Sequence, residues 1–514
     1  MKKRLFLQNA AVLSGTSLLL KGIGVFFRIW LSNHLGAEGM GLHQLIFSVY
    51  VLGSTIATTG LSTAVTRMVT EASATGNDRA VPRVLGRALL LAVALSVGST
   101  AVFYFGAPLI GNWWIADARA IPALRILTLG FPFMGISATL KGYFYARRRA
   151  ELPSAAQIFE QLTRIAITVW LFSGTVERTV TALCFAVMLS DVLSEMLSAG
   201  FSAMCYVFEH KRITSQTPFA ENDADFRTKR LVGIAAPITV GRYLNTILRT
   251  IENIQVPRCL ATFSGSQELG LAAFGNLKGM AMPLIFFPSS FLSAFSTLLI
   301  PEMSEAMALQ QSVRVRQTVD TTIRITMAAS WLCAGCFWVM AYLLGELFYQ
   351  SAEVGFYLQV LAPLVPLMYL ESVADGILKG LNQQVHSLKY SLLDSAVRIV
   401  LIALLTPRFG IRGFLYIMVL SNLLTCLLNM GRLCKVTGML PDFGRWIFRP
   451  LGGACIAGSF TYLLLSQTVV RTLPTFWIVL VGGAFLTTLY SLSLFMTKTL
   501  TCDDLLIKTK KKRS

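Results

Sequence analysis

The chain has 514 residues, of which 54% are hydrophobic and only 14% charged, and its formal net charge is +19. So little polar side chain cannot cover the core of a soluble protein of this length, which excludes a soluble fold. The basic excess comes with no nucleic-acid recognition motif, so no nucleic acid is expected as a partner, and the Lys and Arg residues read as topology signals.

Apolar runs of about twenty residues, the length that crosses a bilayer, predict an all-α polytopic membrane protein of about fourteen transmembrane helices. The first spans 9–31. Its start, Met1-Lys2-Lys3-Arg4, resembles the charged end of a signal peptide, but Lys21 interrupts the apolar stretch and no small-residue cleavage site follows. It is therefore read as a retained helix. It carries Lys21 and Arg28, seven residues apart and so on one helical face. Helices over 41–63, 85–106 and 120–146 follow. The fifth, 154–173, holds Glu160 and Arg164 at i,i+4, and the sixth, 179–207, holds Asp191 and Glu195. A polar stretch from Glu209 to Arg230, with Glu221, Asn222, Asp223 and Asp225, then joins two halves.

The seventh helix, 231–256, is opened by Pro237. It carries Arg242, Asn245, Arg249 and Glu252 at i, i+3, i+7 and i+10, a spacing that runs them along one face and brings Arg249 near Glu252 as a partner. The eighth, 268–300, carries Lys278 and is interrupted by Pro283 and Pro288. In the ninth, 318–345, Cys333 and Cys336 are the one CxxC pair, but further ligands are lacking nearby, so they read as small core residues rather than a redox or zinc site. The tenth, 353–378, is interrupted by Pro363 and Pro366 and carries Glu371 and Asp375 at i,i+4. Helices over 388–405, with Asp394 and Arg398 at i,i+4, and over 412–432, 446–466 and 474–497 complete the set. The nine cysteines and four histidines form no metal pattern, and no cofactor is expected.

Two segments repeat. Leu140-Lys141-Gly142, a polar turn, and then Glu160 with Arg164-Ile165 parallel Leu378-Lys379-Gly380, a polar turn, and then Asp394 with Arg398-Ile399. Six helices separate them, an even number, so the halves run parallel. The division is an N-lobe over 1–208, a cytoplasmic linker over 209–230, a C-lobe over 231–436, and helices thirteen and fourteen with a basic tail over 437–514. Lys and Arg crowd one set of loops, including Arg147-Arg148-Arg149 and the tail from Lys508 to Arg513. The other set has Arg119, Arg178, Arg258, Arg408, Arg412 and Arg471. Both termini are therefore expected in the cytoplasm.

A charge at mid-bilayer costs roughly 2.5–3.5 kcal/mol on insertion scales, so each needs a partner or a use. Glu160–Arg164 and Asp394–Arg398 can neutralise each other on their own helices and read as scaffold. The basic stripes of helices one and seven, with Lys278, read as a central cationic cavity that binds substrate, because an arginine fork suits phosphate oxygens. The competing reading pairs these bases with Asp191, Glu195, Glu371 or Asp375. Glu371 and Asp375 are like charges one turn apart, which suggests that one is protonated or binds a cation for coupling. Pairing of Asp375 with Lys379 is the other reading. Outer loops do not exceed about fifteen residues and no catalytic motif appears, so an enzyme is not expected.

The stretches Leu35-Gly36-Ala37-Glu38-Gly39-Met40-Gly41-Leu42-His43-Gln44, Gly60-Leu61-Ser62-Thr63-Ala64-Val65-Thr66-Arg67, Leu140-Lys141-Gly142-Tyr143-Phe144, Leu299-Ile300-Pro301-Glu302 and Gly410-Ile411-Arg412-Gly413 together resemble the stage V sporulation protein B family. That family lies in the polysaccharide transporter branch of the MOP exporter superfamily, with MurJ-type and Wzx-type flippases, while MATE drug exporters form a sister branch. The resemblance covers essentially the whole chain. It implies two six-helix lobes with two C-terminal helices, alternating access, and a cargo of undecaprenyl-pyrophosphate-linked saccharide such as lipid II or a polysaccharide repeat unit. It also implies that Arg28 holds the place of a cavity arginine. His43, where a tyrosine is common, and Tyr145-Ala146-Arg147, in place of a glutamine-containing turn, depart from the pattern and leave fine cargo specificity open. The alternative is a MATE-like cation-coupled small-molecule exporter. Coupling to protons, sodium or the membrane potential is expected, and so is function as a monomer.

Overall fold

A computed structural model of the protein describes residues 2–58, 60–76, 80–174, 179–213, 228–467, 472–497 and 499. Most of the 209–230 linker, the basic tail, Arg178 and Arg471 lie outside them. Among the described residues there are helices and turns and no strand, as buried backbone in lipid requires every N–H and C=O to be satisfied within its own segment.

The first helix, α1, runs Lys2–Thr58 and is broken at Gly36 (φ 68°, ψ −178°). Only glycine takes that conformation readily, so one glycine divides the segment into two span-length pieces. The same device recurs near the other end of the chain. Helix α15, Gln384–Thr437, is broken at Gly410 (φ 60°, ψ −142°). Between them lie α2 (Leu61–Ala74), α3 (Ala80–Leu109), α4 (Ala120–Thr128), α5 (Phe131–Ala146), α6 (Glu151–Gly174), α7 (Val180–Ile213), α8 (Thr228–Ser264) and α9 (Gln267–Phe274). Next come α10 (Met282–Ala308), α11 (Ser312–Val339), α12 (Ala341–Tyr349), α13 (Ala352–Leu361) and α14 (Val365–Gly380); α16 (Arg449–Ser466) and α17 (Thr475–Met496) close the chain.

Ten helical runs are long and apolar enough to cross a membrane, and α4 with α5, bent by 42°, makes an eleventh. Two of the ten, those containing Gly36 and Gly410, each hold two span-length pieces. Helix α6 has the length of a span but carries Glu151, Glu160 and Arg164. The fourteen expected spans thus all fall on helices, and the chain is an all-α multi-pass membrane protein.

The prolines refine the expectation. Pro363 falls in a 3-10 turn, Ala362–Leu364, and Pro366 in the first turn of α14, where the missing N–H has no intrahelical partner to lose. Pro283 follows a π-helical stretch, Gly275–Ala281, at the start of α10. Pro288 does not interrupt that helix. Nor does Pro237 open the seventh span: α8 begins at Thr228 and holds both Pro237 and Pro257 inside it. The polar residues before Pro237 are helical because Leu231 and Ala235 are buried in a core with α2, α3 and α5.

The chain packs as two compact units, Met1–Gly275 with Ile402–Pro407, and Asn276–Leu401 with Arg408–Ser514. In the first, α1 and α9 touch backbone to backbone, since a Cβ on Gly41 would meet the Leu271 carbonyl and one on Gly275 the Ala37 carbonyl. Glycine at a crossing is how membrane helices reach such proximity. In the second, α16 and α17 pack on α11 around Ala454, Leu486, Tyr490 and Leu494, and the Tyr490 hydroxyl donates to the Ala328 carbonyl at 2.8 Å.

Candidate functional site

The same-helix pairs form as the spacing requires, and each is knitted into its unit. In the first, Arg164 on α6 bonds Glu160 at 2.9 Å and Asp191 on α7 at 2.8 Å. Lys141 on α5 lies 3.9 Å from Glu160, and the Ser198 hydroxyl donates to the same carboxylate at 3.4 Å. In the second, Arg398 bonds Asp394 at 2.7 Å, and Ser421 bridges both. These charges are consumed in holding helices together.

The expected cationic residues divide between the units. Lys21, Arg28, Arg242, Asn245, Arg249 and Glu252 lie in the first, and Lys278, Glu371 and Asp375 in the second. Helices that the sequence repeat assigns to opposite halves therefore bring both basic stripes into one packing unit. The α8 stripe is held by its neighbours: the Thr250 hydroxyl donates to the Ser48 carbonyl at 3.2 Å, and the Asn253 amide to the Ser48 hydroxyl at 3.0 Å. This buries Thr250 and Glu252, leaves Asn245 half-buried, and leaves Arg242 and Arg249 exposed.

The expected Arg249–Glu252 pair does not form. Three residues are 60° short of a full turn, and that offset puts Glu252 on the side of α8 that is covered while Arg249 stays open. Among the described residues neither Arg242 nor Arg249 has an ion-pair partner. Of the four acids named in the competing reading, Asp191 is occupied by Arg164 and Asp375 by Lys379. Lys21 is exposed and Arg28 half-buried.

In the second unit the Lys278 ammonium sits 5.9 Å over the Phe414 ring, a cation–π distance. Asp375 is taken up by Lys379 at 2.6 Å and by the Ser387 hydroxyl. Glu371, a turn away and half-buried, has no ion pair among the described residues.

Four contacts join residues too far apart in sequence to be paired by spacing. Arg119 bonds Glu38 at 2.7 Å and Asp117 at 2.8 Å, and these carboxylates hold its guanidinium above its usual pKa. Arg258 donates to the Trp113 carbonyl, and Gln267 to the Ala116 carbonyl at 2.6 Å. Towards the other end of α8, Arg230 bonds Glu71 at 2.7 Å, and Glu71 also takes Arg67 at 3.0 Å. Helix α8 is thus clipped to the first unit near both its ends. The short Asp117–Arg119 spacing was the one local signal of this cluster.

Two hollows differ in the residues that wall them. One of about 540 Å³ is walled by Ser62, Thr63, Thr66, Arg67, Thr70, Glu71 and Tyr145. The other, about 330 Å³ in the second unit, is walled mainly by apolar groups from α10, α11 and α17, among them Leu284, Phe287, Leu332, Phe337 and Leu486.

Comparison with known proteins agrees with this architecture. The family model described as polysaccharide biosynthesis protein matches residues 6–307. Stage V sporulation protein B of Bacillus subtilis (strain 168) is 26% identical over 440 residues, 85% of each chain. Among solved structures, lipid II flippase MurJ in an inward closed conformation superposes with a TM-score of 0.72 at 12% identity, over 96% of this chain and 99% of that one. An inward-facing multidrug resistance MATE family transporter of the MOP superfamily gives 0.62 at 15% identity, over 82% and 96%.

Proposed function

The chain belongs to the polysaccharide biosynthesis protein family, and from that premise we propose that it is a flippase for a lipid-linked saccharide. The cargo is a saccharide on undecaprenyl pyrophosphate, lipid II or a polysaccharide repeat unit. It is carried across the cytoplasmic membrane by alternating access, with both termini of the protein in the cytoplasm and one chain sufficient. One observation carries the reading. Arg242 and Arg249 are exposed guanidinium groups on a span-length helix, without ion pairs among the described residues. An unneutralised cation in a membrane segment is costly, and a mobile pyrophosphate satisfies it only while cargo is bound. Lys21 and Arg28 of the same unit extend the basic character and Asn245 adds an amide, while Thr250 and Asn253 tie α8 to α1 beside them.

The MATE-like alternative, export of small molecules, fits less well. An organic cation would be repelled by Arg242 and Arg249. Glu371 is the carboxylate available to couple movement to protons or sodium, since Asp375 is spent on Lys379.

The test is charge removal in reconstituted vesicles supplied with fluorescent lipid II or a labelled polysaccharide-repeat lipid. Arg242→Ala with Arg249→Ala is expected to lower flipping at least tenfold, about the loss of one charge-assisted hydrogen bond. Unchanged flipping would remove the cationic site from the mechanism.

A further inference from the structure

Helix α2 has two faces. Leu61, Ala64, Val65, Met68, Val69 and Ala72 are buried in the core shared with α3 and α5. The remaining face carries Ser62, Thr63, Thr66, Arg67, Thr70 and Glu71, and with Tyr145 of α5 these make the whole wall of the 540 Å³ hollow. Every lining residue is polar, although the helix continues an apolar run that crosses the membrane. Most of the surface these side chains turn to the hollow is their apolar part, but the Arg67 guanidinium and the Glu71 carboxylate would be costly against hydrocarbon, so the hollow faces water and what water carries. Its volume falls in the ~300–1,000 Å³ range of small-ligand pockets.

The wall is fixed in place. A Cβ on Gly142 would stand 2.5 Å from the Ser62 carbonyl, so glycine lets α5 press directly on α2. The Thr66 hydroxyl lies 2.9 Å from the Gly142 carbonyl and 2.8 Å from that of Ser62, and the Thr70 hydroxyl donates to the Thr66 carbonyl at 2.7 Å. Those hydroxyl protons are spent on the helix, which leaves the oxygens as acceptors toward the hollow. Glu71 adds a carboxylate acceptor. Arg67, bonded through Nε and 63% exposed, keeps its terminal nitrogens as donors. Tyr145, half-buried, adds a ring.

We propose that this hollow is a saccharide subsite, which takes one sugar ring of the cargo against Tyr145 and between Arg67 and the α2 hydroxyls. Mixed donors and acceptors suit vicinal hydroxyl groups, and the aromatic ring suits the apolar C–H face of a pyranose. Glu71 is bonded by both Arg67 and Arg230, which leaves no spare carboxylate for a cationic ring. The subsite deepens the flippase reading and rests on it for the identity of the cargo. It also gives a use to Tyr145, where the sequence departs from the pattern of the family it resembles.

The experiment is saturation-transfer NMR on the full chain in nanodiscs, with chitobiose and cellobiose as probes. Wild type is expected to show transfer to at least one. Tyr145→Leu, and Thr63→Ala with Thr70→Ala, are expected to weaken it about fivefold, the effect of losing one contact of hydrogen-bond strength, with unchanged thermal melting. Thr262→Ala, an exposed hydroxyl on α8, should leave it intact. No transfer to either sugar in wild type, or transfer indifferent to the pocket variants, overturns the subsite. Vesicle assays separate this from the wider reading. The pocket variants should slow a saccharide-bearing prenyl pyrophosphate and spare bare prenyl pyrophosphate, whereas failure of wild type to move either lipid sinks the flippase reading and leaves the sugar-binding result standing.

Discussion

At the scale of single residues, the charged side chains in the spans do two different jobs, and stability separates them. Arg164 answers Glu160 and Asp191, both largely buried. Its removal strands two carboxylates, so Arg164→Ala is expected to destabilise the protein by about 3 kcal/mol or more, read as a lower melting temperature in detergent. Arg242→Ala removes an exposed group without an ion pair and should change stability by less than about 0.5 kcal/mol. Equal destabilisation by the two variants would erase the distinction between scaffold and cargo charges. The i,i+4 pairs were legible in the sequence because helix geometry alone brings such residues together. The Arg249–Glu252 expectation failed because spacing does not say which side of a helix its neighbours cover. Arg119–Glu38 and Arg230–Glu71 could not be read at all, since 81 and 159 residues separate the partners and only tertiary packing brings them into contact.

At the scale of elements, two long helices are each divided by one glycine. Gly36 and Gly410 sit in conformations that a Cβ disfavours, although nothing crowds the Cβ position at Gly36. The cost of substitution there is conformational, on the order of 1–3 kcal/mol. Gly36→Ala is therefore expected to lower the melting temperature, and an unchanged melt would mean that the break tolerates ordinary residues. Gly142 is restricted for the opposite reason. Its φ is ordinary, but the Ser62 carbonyl occupies the space, so Gly142→Ala should destabilise by about 1–3 kcal/mol. It should also disturb the α2–α5 hollow. The spans were legible from apolar length, and the breaks from glycine and proline. Membership of α8 in the first unit was not, because the Leu-Lys-Gly repeat records how the halves resemble each other and not which helices touch.

At the scale of the whole molecule, fourteen expected spans, a repeated Lys-Gly turn at the ends of α5 and α14, and an ordered set of short motifs carried the fold in the sequence. What they could not carry was chemistry. The hollow appears only when α2 and α5 are packed, and the availability of Arg242 and Arg249 appears only when both are found exposed and without ion pairs among the described residues. Orientation has its own check: with both termini inside, a protease added to intact cells should spare tags at either end, and cleavage of one tag would reverse or break the topology. The central claim is transport of a lipid-linked saccharide, and the most direct measurement is movement of fluorescent lipid II and of a labelled polysaccharide-repeat lipid between the leaflets of vesicles containing the purified protein. The account predicts protein-dependent movement of at least one of them, lost in the Arg242→Ala, Arg249→Ala double variant. No protein-dependent movement of any prenyl pyrophosphate lipid would contradict it.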